Sequence, residues 1–333
     1  MPRTRLLLVI ALFSVLPALG QDTQITINEW SLPTANSMPQ DIFTSTRDGV
    51  VWYSAERGNL LGRFNPKTQK FEEYHLRPGS EPDSLVQHAG SGVQTTVYFV
   101  SSTGQFIGEF DPNTRDVREF RIQDPKLRPY DLAFDPNGTI WFTVSNGNKV
   151  GRLNLFSAEI KWADIPTQSA GSYALAINSK GFPFFTELDT PKLGHVDPVT
   201  MKITEYPLPH AESRARSLVI TRDNDVWYTD YVRGYVGRFN TEAGKFQEWP
   251  SPGGAGSHPD AITSAGKIIW YCETGPKPNV LVRFDSETQK FQSWPIKEGL
   301  GIKHLYVQPD GSLWFASPQM NSIGHVTINK REK

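Results

Sequence analysis

Six carboxylates stand at matching points of a repeating sequence: Asp83, Asp131, Glu187, Asp230, Asp260 and Glu273. Converging oxygens of this kind suit a hard divalent cation, Mg2+ or Ca2+, or a polar organic ligand. His258, His304, Lys303 and Arg216 fall close to them in the repeat register. An imidazole beside carboxylates and a lysine can serve as general acid or base. Arg216 or Lys303 can hold an anionic group. The residues therefore sort by chemistry. Asp260, Glu273, His304 and Lys303 are the catalytic candidates. Tyr130, Tyr173, Arg216 and His258 are the ligand-binding candidates, and Asp83, Glu187 and Asp230 the metal ligands. A second reading stays open, in which the acids form a solvated rim paired with Arg214, Arg216 and Lys303, and the tyrosines are filler.

Other chemistries find no support. No Cys/His cluster has zinc-like spacing, and no glycine-rich phosphate loop or Gly-x-Ser-x-Gly turn occurs. The single cysteine, Cys272, excludes an intrachain disulfide and sits in an apolar run, which reads as buried filler. His195 and His325 occupy a slot held elsewhere by Arg63, Arg152, Arg238 and Arg283, so they read as repeat substitutions.

The elements that must position these groups announce themselves as a repeat. Aromatic strands begin at Trp52, Tyr98, Trp141, Phe184, Trp227, Trp270 and Trp314, at spacings of 46, 43, 43, 43, 43 and 44 residues. A second strand follows each one: Leu61-Gly62-Arg63-Phe64, Ile107-Gly108-Glu109-Phe110, Val150-Gly151-Arg152-Leu153, and so on, with Val282 replacing glycine in the sixth copy. The glycine is expected to let a neighbouring aromatic ring or backbone approach closely. Asp48-Gly49, Asn137-Gly138 and Asp310-Gly311 supply hairpin turns; Asn65-Pro66, Asp111-Pro112 and Asp197-Pro198 open others. Four short antiparallel strands per period predict an all-β, seven-bladed β-propeller of four-stranded blades. The fourth strand of the last blade is missing after Val326 and is found near the start, at Ile27 to Pro33. The N-terminal strand is therefore expected to close the ring and remove two sheet edges. Alternating strand directions put the turn entering each first strand on the same face as the loop after the second. The candidate residues share that face.

Residues 1–20 read as a cleavable leader: Arg3 and Arg5, an apolar run from Leu6 to Leu16, then Pro17-Ala18-Leu19-Gly20. The expected organisation is a signal peptide over 1–20 and one propeller domain over 21–333, secreted or periplasmic, with no stable membrane insertion. A net charge of −1 argues against nucleic acid. A small molecule or another periplasmic or extracellular ligand is the expected partner, and a monomer the expected state.

The units Trp141-Phe142-Thr143…Asn148-Lys149-Val150-Gly151-Arg152 and Ile203-Thr204-Glu205-Tyr206-Pro207-Leu208-Pro209 resemble the repeats of the streptogramin B lyase (virginiamycin B lyase) family, from Ile25 to about Ile328. The resemblance implies a magnesium-dependent elimination that opens a cyclic depsipeptide at an ester C–O bond. It also implies a His in the turn entering blade six and Glu-Pro-His-Gly-Ile entering blade seven. A further Glu would follow that blade's aromatic strand, and a Tyr would enter blade one. Here the corresponding stretches read His258-Pro259-Asp260-Ala261-Ile262, Gly301-Ile302-Lys303-His304-Leu305, Ser317-Pro318 and Pro39-Gln40-Asp41-Ile42. Asp260 stands in for the blade-six His. Gly301 and Lys303 stand in for the blade-seven Glu and His, with His304 one residue on. The lyase residues are not retained in register. Three functions follow: a ligand-binding propeller at the channel mouth, a metal-dependent lyase or hydrolase acting on an ester, lactone or glycan-like substrate, or a protein-interaction platform.

Overall fold

The computed structural model describes residues 23–87, 96–297 and 299–330; the leader read over 1–20 lies outside them. Seven four-stranded antiparallel sheets follow one another around a ring, giving a seven-bladed β-propeller. The described residues hold almost no helix beyond a three-residue 3-10 turn at Gly254–Gly256, and none long and apolar enough to cross a membrane. In six blades the strands run in chain order. In the seventh, Thr23–Ser31 pairs with Ser322–Lys330, with Ile27 opposite Val326 and Trp30 opposite Ile323. The displaced strand closes the ring as the sequence required.

The first strand of each blade lines the central channel. These are Pro39–Thr44, Pro82–Gln87, Pro129–Phe134, Ser172–Ile177, Ala215–Ile220, Pro259–Ala265 and His304–Val307. The second, aromatic strands are buried on both faces, which is why they read as continuous apolar runs such as Val51–Ala55. Their side chains build seven apolar clusters, each shared between two neighbouring blades. One joins Tyr53 of blade one to Trp314 of blade seven, and the next joins Trp52 to Phe99 of blade two. The ring thus has a core at every blade interface, including the one that closes it.

The repeated glycine explains how the blades stack so tightly. A Cβ built on Gly62 would lie 2.0 Å from Cζ of Tyr53, and one on Gly151 would lie 2.2 Å from Cζ of Phe142. In each case the aromatic ring lies flat over the glycine of the paired strand. Blade six accommodates Val282 opposite Tyr271, whose hydroxyl instead meets Ser251 Oγ at 2.7 Å.

Candidate functional site: the channel mouth

The turns entering six of the seven blades carry a β-bulge. In blades one to six the pairing of the first two strands slips by one residue, as between Pro39 and Ile42 or Pro259 and Ile262. A bulge sets two consecutive residues against one partner and re-aims their side chains. The entry turns therefore build two rings of residues around the channel. One ring holds Gln40, Asp83, Tyr130, Tyr173, Arg216, Asp260 and Lys303. The other holds Asp41, Ser84, Asp131, Ala174, Ser217, Ala261 and His304. All of these except Arg216, which borders it, line one cavity of about 400 Å³.

A hydroxyl in the second strand pins each of four bulges. The amides of Asp41, Asp131, Ala174 and Ser217 donate to Ser54, Thr143, Thr186 and Thr229 at 3.1–3.2 Å. Three of those hydroxyls also reach the next blade: Ser54 Oγ donates to the Asp83 carbonyl, Thr143 Oγ1 to the Tyr173 carbonyl at 2.6 Å and Thr186 Oγ1 to that of Arg216 at 3.1 Å. One side chain thus fixes ring residues of two blades. Cys272 occupies this slot in blade six. Burial pushes its thiol up, so it is not a nucleophile at ordinary pH.

The charged groups of the rings are largely engaged with one another. Arg216 Nε donates to Asp260 Oδ1 at 2.9 Å, and Ser217 Oγ lies 3.3 Å from the same oxygen. His304 Nδ1 meets Asp41 Oδ1 at 2.5 Å. The other oxygen of Asp41 accepts the Leu85 amide of blade two at 2.8 Å. Asp131 accepts Ser84 Oγ, its own blade's Leu132 amide and the Leu175 amide of blade four, each at 2.8 Å. Asp41 and Asp131 thereby tie neighbouring bulges together.

A ladder of flat groups runs from the entry turn of blade three to that of blade six. Tyr130 and Tyr173 stack with centroids 4.0 Å apart at 26° and share a hydrogen bond between their hydroxyls. The Arg216 guanidinium lies 5.5 Å from the Tyr173 ring centre and 4.8 Å from that of Tyr231. His258 stacks on Tyr231 at 4.7 Å, and its Nδ1 lies 3.1 Å from the Tyr231 carbonyl. His258 is therefore joined to Arg216 only through Tyr231 and stands away from the cavity.

Electrostatics follow from this crowding. Burial raises the Asp83 carboxyl to about 7; Lys303 opposes the rise, while Glu56, Asp41 and Asp131 add to it. Burial raises Asp131 to about 6 against the hydrogen bonds from Ser84 and Leu175. Burial acts to lower His304, but the contact with Asp41, backed by Asp131 and Asp83, outweighs it and lifts the imidazolium to about 9. His304 keeps 49% of its side-chain surface open. That surface faces the confined channel, so its neighbours, not bulk water, govern its charge.

The structure brings together Asp83, Asp131, Asp260, Lys303, His304, Tyr130, Tyr173 and Arg216. It does not bring Glu187, Asp230 or Glu273 to them. Those three end the second strands and are buried among the turns between blades. Asp230 accepts the amides of Arg214 at 3.0 Å and Arg233 at 3.2 Å. Glu273 accepts the Gly253 amide at 2.8 Å and the Ser251 hydroxyl. Glu187 bonds the Thr190 hydroxyl. Glu187 and Asp230, expected as metal ligands, and Glu273, expected as a catalytic group, thus meet turn groups and do not line the cavity. Asp41 was not among the candidate residues, although it shares the register position of Asp131 and His304.

A family model for the virginiamycin B lyase family matches residues 19–181 and 158–332. The chain belongs to this family. Among solved structures, a streptogramin B lyase matches with a TM-score of 0.82 at 24% identity, covering 92% of this chain and 98% of that one. Virginiamycin B lyase from Staphylococcus aureus matches with a TM-score of 0.81 at 25% identity, covering 91% and 99%. A catalytically inactive histidine-to-alanine variant of that enzyme, bound to quinupristin, matches with the same figures. Comparison with curated sequences gives no match.

The family's magnesium finds a poor fit. Among the described residues no group of three His, Cys, Asp or Glu is placed to hold a metal ion. The channel acids are largely neutralised by Arg216 and His304 or spent on backbone amides. The donors present do not suit Mg2+ or Ca2+.

Proposed function

We propose that this chain is a ligand-binding member of the virginiamycin B lyase family, holding a small polar molecule in the channel mouth through ring side chains without a divalent cation. The observation that supports this reading is the convergence of both rings on one cavity of about 400 Å³. A space of that size, with apolar and aromatic walls and a few charged groups, is the usual form of a small-molecule site. The leader read over residues 1–20 places the site outside the cytoplasm in this reading, and the exported protein should begin at Gln21.

The test is binding with and without the channel. Ala174 lines the cavity on the aromatic side, and Ala174→Trp would fill it. A panel of sugars, amines, carboxylates and amino acids is screened by thermal shift and calorimetry. The expected result is a ligand that binds the wild type and not the filled variant. Equal binding to both proteins would remove the channel from the function. The elimination implied by family membership is not expected. Incubation with quinupristin should leave the ring intact, because the residues entering blades six and seven are Asp260, Lys303 and His304. Formation of linear product, abolished by His304→Ala, would overturn that.

A further inference from the structure

Pairing the ring charges and counting their hydrogen bonds leaves two groups over. Arg216 is held by Asp260 at 2.9 Å and His304 by Asp41 at 2.5 Å. Asp131 is committed to Ser84 and two backbone amides. What is left is one acid and one base. Among the described residues neither the Asp83 carboxylate nor the Lys303 ammonium has a hydrogen bond or an ion pair, although the Lys303 charge acts on Asp83. Both line the cavity, and they flank Gln40, because the ring runs from Lys303 in blade seven through Gln40 in blade one to Asp83 in blade two.

Gln40 adds an independent observation. It is only 4% exposed and lines the same cavity, with its amide nitrogen donated to Glu56. Its carbonyl oxygen has no hydrogen-bond partner among the described residues. An acceptor buried without a donor is costly, and a donor brought to it would relieve that cost. Tyr130 lies close enough to feel the charges of Asp83 and Asp131, and an ammonium beside that ring gains from its π-face as well.

Resting on the reading above, we propose that the channel mouth takes a small zwitterion of the amino-acid class, its ammonium between Asp83, the Gln40 carbonyl and the Tyr130 ring, and its carboxylate on Lys303. A ligand with both charges compensates the two groups the rings leave over. A molecule with one charge satisfies one and leaves the other desolvated without a partner, which is penalised.

The experiment uses the full mature chain. Each of the twenty common L-amino acids is tried by thermal shift, and the best is compared by calorimetry with its decarboxylated and deaminated analogues. The expected result is that the amino acid binds at least about tenfold more tightly than either analogue. Asp83→Asn should weaken the amino acid and the amine by about tenfold or more and leave the acid unchanged. Lys303→Gln should do the reverse. Circular dichroism and melting curves show whether each variant is folded. If no amino acid binds, or the singly charged analogues bind as well, the proposal is overturned. A sugar or singly charged compound that binds the wild type and not Ala174→Trp would at the same time leave the channel as a binding site, so the two readings fail separately.

Discussion

An aspartate held in the channel with no partner among the described residues works against the fold whenever it is charged. Asp83 titrates at about 7 in the folded chain, against an ordinary 3.8. Between those values the native state holds a proton that the unfolded chain has lost, so this group's contribution to stability falls as pH rises from about 4 to 7. Asp83→Asn should therefore be more stable than wild type at pH 8, by on the order of 1 kcal/mol after allowance for solvent in the channel. The gain should shrink to nothing near pH 4, a comparison that melting curves across this range can make. His304 acts with the opposite sign. Its pKa is raised from 6.5 to about 9, so its stabilisation is complete below about pH 6.5 and is lost as pH rises through 9. His304→Ala should melt lower than wild type at pH 7, and the difference should close by about pH 10. These residues were legible in the sequence as a face, not as contacts. Register placed Asp83, Lys303 and His304 on the same side of the ring. It could not separate Asp131, spent on three hydrogen bonds, from Asp83, whose carboxylate has none among the described residues. Nor could it tell an acid at the end of a second strand from one that lines the channel. Glu187, Asp230 and Glu273 differ from the channel acids by the turn groups they meet, a distinction set by the folded loops.

The repeated strand pair carries its information in a glycine and a hydroxyl. The glycine was expected to admit an aromatic ring or backbone, and the 2.0 Å that would separate a Cβ on Gly62 from Tyr53 shows that it is the ring. Gly62→Ala should cost about 1–3 kcal/mol through overpacking, read as a lower urea midpoint, because Tyr53 is fully buried and has nowhere to move. The hydroxyl went unread. Ser54, Thr143, Thr186 and Thr229 recur at one slot, yet their role depends on a bulge that periodicity alone does not reveal. Thr143→Val keeps the shape and removes both the acceptor for the Asp131 amide and the donor to the Tyr173 carbonyl. A loss of about 1–3 kcal/mol is expected for the unsatisfied buried groups. The same change should weaken ligand binding, since it loosens two ring positions at once.

At the scale of the molecule, closure was the most legible feature, because a fourth-strand pattern missing at one end of a seven-fold repeat had to be supplied from the other. Thr23–Ser31 meets Ser322–Lys330 over nine residue pairs. Asn321 reinforces the joint: its side chain accepts the Ser37 amide at 2.8 Å and donates to the Thr34 carbonyl at 2.9 Å. Deleting residues 23–31 should open an edge on blade seven and convert the protein to strand-exchanged or aggregated species, visible by size-exclusion chromatography. A chain is made from its N-terminus, so the first strand of this propeller is synthesised some three hundred residues before its partner exists. It must wait unpaired through the formation of six complete blades. The final act of folding is then a meeting of the oldest and youngest parts of the polypeptide, and any delay in it leaves a sticky edge on offer to other chains. Time, as much as energy, is what the N-terminal strand has to withstand.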